Sequence, residues 1–185
     1  IDKYRHAATA LIVTAGGARE HVAFVDRGSS SGLDIKPGLA NLNVDWFYLT
    51  AITSSNWANQ LITLFRSITQ KRKDIFWNPG SLQLQQPNKL KPLLKYLTVL
   101  DVNLAEARAL AKAFKLKGKM PVQLLVNLKK LGPRIIIITA GSGGAYVYNG
   151  KVLMHYPSFH VSATNTIGAG DAFGSGWLGG YIHSH

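Results

Sequence analysis

The stretch Ile135-Ile136-Ile137-Ile138-Thr139-Ala140-Gly141-Ser142-Gly143-Gly144-Ala145 decides how this chain folds. Four consecutive isoleucines show no period-2 alternation, so both faces of the segment must meet apolar neighbours. A strand covered on both faces belongs inside a sheet flanked by helices. The turn that ends it is rich in glycine. Such a turn lets a bound group come close to the backbone, or it folds the chain back into a hairpin with a strand at 145–148; spacing leaves both readings open.

Working outward, apolar runs of strand length recur at 10–14, 22–25, 46–50, 74–78, 98–102 and 152–155. Helical spacing separates several of them. Trp57, Leu61, Leu64 and Ile68 share one helix face, with Ser54 or Ser55 as its candidate cap, and Leu124, Leu128 and Leu131 share another. Strands alternating with helices predict an α/β protein, a three-layer α/β/α arrangement around a mostly parallel sheet. The first part differs. The segments 10–14 and 22–25 around Gly16-Gly17 read as an antiparallel hairpin, followed by the small-residue loop Gly28-Ser29-Ser30-Ser31-Gly32. Residues 1–35 are therefore expected to form a peripheral β element, and residues 36–185 an α/β core.

The chemistry concentrates in Asn165-Thr166-Ile167-Gly168-Ala169-Gly170-Asp171-Ala172-Phe173. Glycines at 168 and 170 leave backbone N–H groups accessible to an anion. The helix that starts there adds its partial positive charge. Asp171 in its first turn is a candidate proton acceptor beside that anion, and phosphoryl transfer needs this pairing. Asn103 and Glu106 follow the strand at 98–102; they suit either a helix cap or an outer-sphere Mg²⁺ site, since Mg²⁺ prefers oxygen and keeps its waters. Asn78-Pro79-Gly80 reads as a turn.

Composition excludes several classes. With 46% hydrophobic and 16% charged residues, 185 residues suffice for a folded domain with a real core. The absence of cysteine rules out disulfides and thiolate zinc sites and fits a cytoplasmic protein. No apolar run approaches the roughly 18 residues of a membrane span, and Ile1-Asp2-Lys3-Tyr4-Arg5-His6 does not read as a signal peptide. Net charge is +12, with basic residues grouped at 66–73, 89–95, 112–119 and 129–134. Such a field attracts polyanions. Its placement on polar helix faces without interleaved aromatics reads instead as solubilising charge, so nucleic acid is not the expected partner.

In their order along the chain, Asn78, then Asn103-Leu104-Ala105-Glu106, Thr139-Ala140-Gly141 and Gly168-Ala169-Gly170-Asp171-Ala172-Phe173, these residues resemble the ribokinase/PfkB carbohydrate kinase family from about residue 7 onward. The resemblance implies a ribokinase-like fold and ATP-dependent phosphorylation of a sugar (or nucleoside) hydroxyl. It implies that Asp171 is the base and that the amides of Gly168, Ala169 and Gly170 form the anion hole. Asn103 and Glu106 would organise Mg²⁺, Thr139 and Gly141 would lie along the nucleotide, and the β element would be part of a lid over the sugar. Lid pairing into a homodimer would belong to the full-length protein. Asn165 stands where the family usually has an aspartate that helps hold a monovalent cation, so potassium dependence does not carry over. The family's N-terminal sugar-binding part and the segment closing the adenine pocket are not matched. The chain therefore reads as an internal fragment, expected to have little activity alone and to self-associate through open sheet edges. The alternative is a non-catalytic remnant that binds nucleotide or nucleic acid.

Overall fold

The computed structural model describes residues 6–14, 21–161 and 166–184. Two antiparallel strands come first, β1 (Thr9–Thr14) and β2 (His21–Asp26), with Thr9 opposite Asp26 and Thr14 opposite His21. The predicted Gly16-Gly17 turn lies outside the described residues. The small-residue loop after β2 is a 3-10 turn, Gly28–Gly32. It is tied to the following core by Thr53 Oγ1, which donates to the Ser30 carbonyl at 2.7 Å.

The core alternates as the sequence predicts. Its elements are β3 (Trp46–Leu49), α1 (Trp57–Gln70), β4 (Asp74–Trp77), α2 (Ser81–Leu84), α3 (Pro87–Leu94) and β5 (Val99–Asn103). After these come α4 (Leu104–Ala113), α5 (Pro121–Lys129), β6 (Ile135–Thr139), β7 (Ala145–Tyr148), β8 (Leu153–Tyr156) and α6 (Ala169–His183). The six strands form one sheet in the order β3-β4-β5-β6-β7-β8. The pairings from β3 to β6 are parallel, and β7 and β8 add antiparallel strands at the edge. The isoleucine run is buried along its whole length, as two-sided cover requires.

The two faces of the sheet are covered unequally. Ile75, Trp77, Leu100, Val102, Ile136 and Ile138 pack with the buried residues of α1, α3, α4 and α5 into the larger core. The alternate positions Phe76, Val99, Ile135, Ile137 and Val147 pack with Leu178 of α6. The period-2 alternation of strand side chains makes this division. Three layers result, with one helix forming the third.

Local sequence explains where the elements begin. Pro87 opens α3 at a first-turn position, where its missing N–H costs nothing. At α1 the expected serine cap is corrected: Asn56 is the cap residue, without a side-chain cap bond. Ser54 contributes only its carbonyl, which accepts the Trp57 N–H at 3.3 Å. The β6–β7 connection passes through a 3-10 turn at Gly141–Gly143. Gly144 then has φ +82, and a Cβ there would lie 2.0 Å from the Tyr156 carbonyl oxygen, so only glycine fits.

Candidate active site

The carboxyl ends of the parallel strands collect the residues singled out by sequence. Asn103 ends β5 directly opposite Thr139, the end of β6. The hydrogen-bonded ladder thus brings the Asn103–Glu106 turn beside the Thr139–Gly141 turn. A groove of about 1660 Å³ runs between the sheet and α6, lined at this end by Thr139, Gly141, Gly144, Ala169, Gly170 and Phe173. A Cβ at Gly141 would meet nothing within 4 Å, which leaves its backbone open to a ligand.

The start of α6 has the form expected of an anion site. Gly168 is the N-cap with φ +77 in the left-handed region, and neither Gly168 nor Gly170 has a neighbour within 4 Å of a built Cβ. Asp171 lies exposed in the first turn. The three amides are not equivalent. The Ala169 N–H donates to the Thr166 carbonyl at 3.2 Å, closing a turn, and the Ala172 N–H donates to the Gly168 carbonyl at 2.9 Å. The first-turn amides of Gly170 and Asp171 have no intrahelical acceptor by helix geometry. Asn165 lies outside the described residues.

Asn103 and Glu106 form a complete capping box. Asn103 Oδ1 accepts the Glu106 N–H at 2.9 Å, and Glu106 Oε2 accepts the Asn103 N–H at 2.8 Å. The helix-cap reading is therefore realised, and it leaves Glu106 Oε1 outside the box. Burial raises the pKa of Glu106 against the lowering effect of the Asn103 N–H.

One functional candidate escaped the sequence reading. Asp101, two residues before Asn103, is 1% exposed, and its Oδ1 has no hydrogen-bond partner. Its pKa is pushed up to about 7, by burial first and then by the charges of Glu106 and Asp171. Above it, a Cβ on Gly174 of α6 would lie 2.5 Å from the Tyr48 hydroxyl and 3.3 Å from Asp101 Oδ2, so the helix seats here only with glycine. The Tyr48 hydroxyl is likewise buried without a partner, and its pKa is raised by burial, then by Asp101 and Asp171. Asn78 Nδ2 donates to the Asp101 carbonyl at 3.0 Å, which gives the predicted turn at Asn78 a supporting role. The available signal was a lone acid inside an apolar strand, Val99-Leu100-Asp101-Val102.

The Asp101 carboxyl, whose ionisation is opposed by burial and then by the charges of Glu106 and Asp171, keeps an orphaned oxygen that suits a hard oxygen-seeking cation. Among the described residues, no group of three or more His, Cys, Asp or Glu could hold a metal ion by itself. The oxygens of Asp101 and Glu106 would therefore suit Mg²⁺ held through its waters.

Residues 1–185 match the profile of the pfkB family carbohydrate kinases. The chain belongs to this family. Among curated proteins, an ATP-dependent 6-phosphofructokinase of Thermoanaerobacterium thermosaccharolyticum is 35% identical over 65 residues, which is 35% of this chain and 20% of that protein. Solved structures share the ribokinase-like fold at low identity. Anopheles gambiae adenosine kinase, in complex with P1,P4-di(adenosine-5) tetraphosphate, superposes with a TM-score of 0.84 at 19% identity, covering 100% of this chain and 59% of that one. Burkholderia thailandensis nucleoside kinase, in complex with inosine, gives 0.79 at 17% identity, covering 98% and 57%. Ribokinase of Thermotoga maritima gives 0.69 at 21% identity, covering 91% and 54%. This pfkB-family chain thus spans somewhat over half the length of the kinases whose fold it shares. Among the described residues, no helix is long and apolar enough to cross a membrane.

Proposed function

We propose that this chain is the nucleotide-binding and catalytic portion of a cytoplasmic kinase that transfers the γ-phosphoryl group of ATP to a hydroxyl of a sugar or nucleoside. The observation that carries the reading is the start of α6: a left-handed glycine cap, open first-turn amides and an exposed aspartate in one turn of helix. Charge that develops on the transferring phosphoryl group is met by the Gly168-Ala169-Gly170 backbone and the helix terminus. The Gly170 amide is free for this in the structure as it stands, whereas the Ala169 amide would exchange the Thr166 carbonyl for phosphate. Asp171 accepts the proton of the attacking hydroxyl once the acceptor is held in line. Thr139 and Gly141 lie along the nucleotide in the groove. Asn103 and Glu106, together with the Asp101 carboxyl, would hold Mg²⁺ through its waters. The ion, when bound, neutralises charge on the phosphates.

Residues 1–35, with the β1–β2 pair at their centre, are assigned to a lid over the acceptor, and residues 36–185 to the core. The lid pair presents Leu11 and Phe24 to solvent, which suits a surface that closes on a substrate or on further chain.

The test is turnover of ATP with a panel of sugars and nucleosides by the full-length protein and by Asp171→Ala. Loss of about 10²–10⁴-fold in kcat with nucleotide affinity kept is the expected result for a base. Equal turnover in both proteins would remove Asp171 from that role.

A further inference from the structure

The net charge of this chain is concentrated in one part of it. Residues 75–170 contain twelve Lys and Arg but only two acids, Asp101 and Glu106, and so carry ten of the twelve net positive charges. Both acids belong to the site at the strand ends. The helices α3, α4 and α5 therefore present an outer face with no exposed carboxylate other than the half-buried Glu106 at one tip of α4.

Contacts between these helices join the cations into one surface. The Lys91 ammonium of α3 lies 5.9 Å from the centre of the Phe114 ring at the end of α4. Asn127 of α5 donates to the Lys117 carbonyl at 2.8 Å and accepts from Lys130 Nζ at 3.1 Å. The turn after α5 closes back on α3, where a Cβ at Gly132 would stand 2.5 Å from the Lys95 Cα. Lys95 covers the Tyr96 ring at 5.1 Å, and Arg66 of α1, with Lys95, lowers the pKa of the same tyrosine. Lys91, Lys95, Lys117 and Lys130 are exposed. Among the described residues the ion pairs are His6 with Asp26 and Arg134 with Asp74, so none of these four lysines pairs with a described carboxylate. Solubility needs mixed charge; a continuous single-sign face costs self-repulsion and concentrates anions.

We propose that the outer face of α3, α4 and α5 is a binding surface for double-stranded nucleic acid, gripped through its phosphates without sequence preference. Its cations are mainly lysines, compact charges suited to phosphate oxygens. Its aromatic rings, Phe114 and Tyr96, are half-buried beneath lysine ammoniums, so no open ring is offered to stack unpaired bases. Exposed large apolar residues between 75 and 135 are limited to Met120 and Val122, too few to anchor the face in a lipid surface. The surface does not depend on the kinase reading, because it lies across the sheet from α6.

The experiment is binding of a random-sequence DNA or RNA duplex of about 20 base pairs to the full-length protein across a salt series. The comparison is with the variant Lys91→Glu, Lys95→Glu, Lys117→Glu, Lys130→Glu, and with a control carrying Lys36→Glu elsewhere. Circular dichroism establishes that each variant is folded. The expected result is an affinity that falls steeply with salt, weakens at least tenfold in the quadruple variant, and loses roughly three to four from its logarithmic salt slope, near one per lysine. The control should bind as the parent does. Absence of duplex binding at low salt, equal weakening in the control, or binding to anionic phosphatidylserine vesicles in place of duplex would each overturn the proposal.

Discussion

The two ends of the parallel sheet treat their polar side chains in opposite ways. At the amino-terminal end, Asp74, Thr98 and Arg134 close on one another across three adjacent strands. Thr98 Oγ1 donates to Asp74 Oδ1 at 2.6 Å and accepts from Arg134 Nη2 at 2.8 Å, while Arg134 also pairs with Asp74. The Ile75 N–H donates to the same threonine oxygen at 3.2 Å. At the carboxyl end, Asp101 Oδ1 and the Tyr48 hydroxyl are buried with no partner. A saturated network holds strands in register and has nothing left over for a ligand. Orphaned groups cost stability in the free protein and are kept where a ligand or reaction uses them. Polar residues at one end of the sheet thus serve the fold, whereas at the other Asp101 and Tyr48 keep unused hydrogen-bonding capacity.

The largest effect expected from this contrast is at Asp101. Its pKa of about 7 in the folded protein lies above the ordinary value of 3.8. Between those limits the folded state holds a proton that the unfolded chain has released, so this residue's contribution to stability falls as pH rises from about 4 to about 7 and is level above. Asp101→Asn removes the dependence. The stability of the parent relative to the variant should fall by on the order of 4 kcal/mol across that range. Urea melts of both proteins in EDTA at pH 4.5, 6 and 8 measure it. Curves that stay parallel would show that Asp101 carries no strained charge and that the carboxyl end is as well satisfied as the other.

A smaller effect of opposite meaning is expected at the other end. Thr98→Val leaves Asp74, Arg134 and the Ile75 N–H short of a partner and should cost about 1–3 kcal/mol of stability. Nucleotide affinity and turnover of the folded variant should equal the parent's. A folded Thr98→Val protein with impaired nucleotide binding would break the division between the two ends.

These features differ in how openly the sequence announces them. Ile135 to Ile138 fixes a doubly covered strand because four large residues in succession cannot alternate between core and water. The helix at Gly168 is legible because glycine and aspartate there each do something few other residues can. α3 is hidden by Pro87 and Pro92, which read as breakers although the first sits at a helix start, where proline is welcome. The Asn103–Glu106 pair was open between cap and metal ligand because both uses draw on the same carbonyl and carboxylate oxygens. Asp101 escapes because its meaning comes from Tyr48 and Gly174, residues 53 before and 73 after it in sequence that only the packing of α6 on the sheet brings together. The Asp74–Thr98–Arg134 network is non-local in the same way.

The smallest expected change in the free protein, and the most direct reading of the anion site, is at Gly170. A side chain there meets nothing within 4 Å, and the backbone is ordinary first-turn helix, so valine should alter stability by less than about 1 kcal/mol. The same open space is where a phosphate would lie against the helix terminus. Gly170→Val should therefore weaken Mg²⁺-ATP binding by about tenfold or more, a loss of roughly 1.4 kcal/mol, measured by titration calorimetry beside thermal melts. If affinity is kept while the valine is tolerated, the nucleotide phosphates do not approach the start of α6. The open amides would then be a packing consequence of a glycine-rich helix, leaving the orphaned Asp101 and Tyr48 as the only mark of function at this end of the sheet. If affinity falls and stability holds, space left empty in the free protein is occupied in the working one, and the contrast between the two ends extends from side chains to the backbone itself.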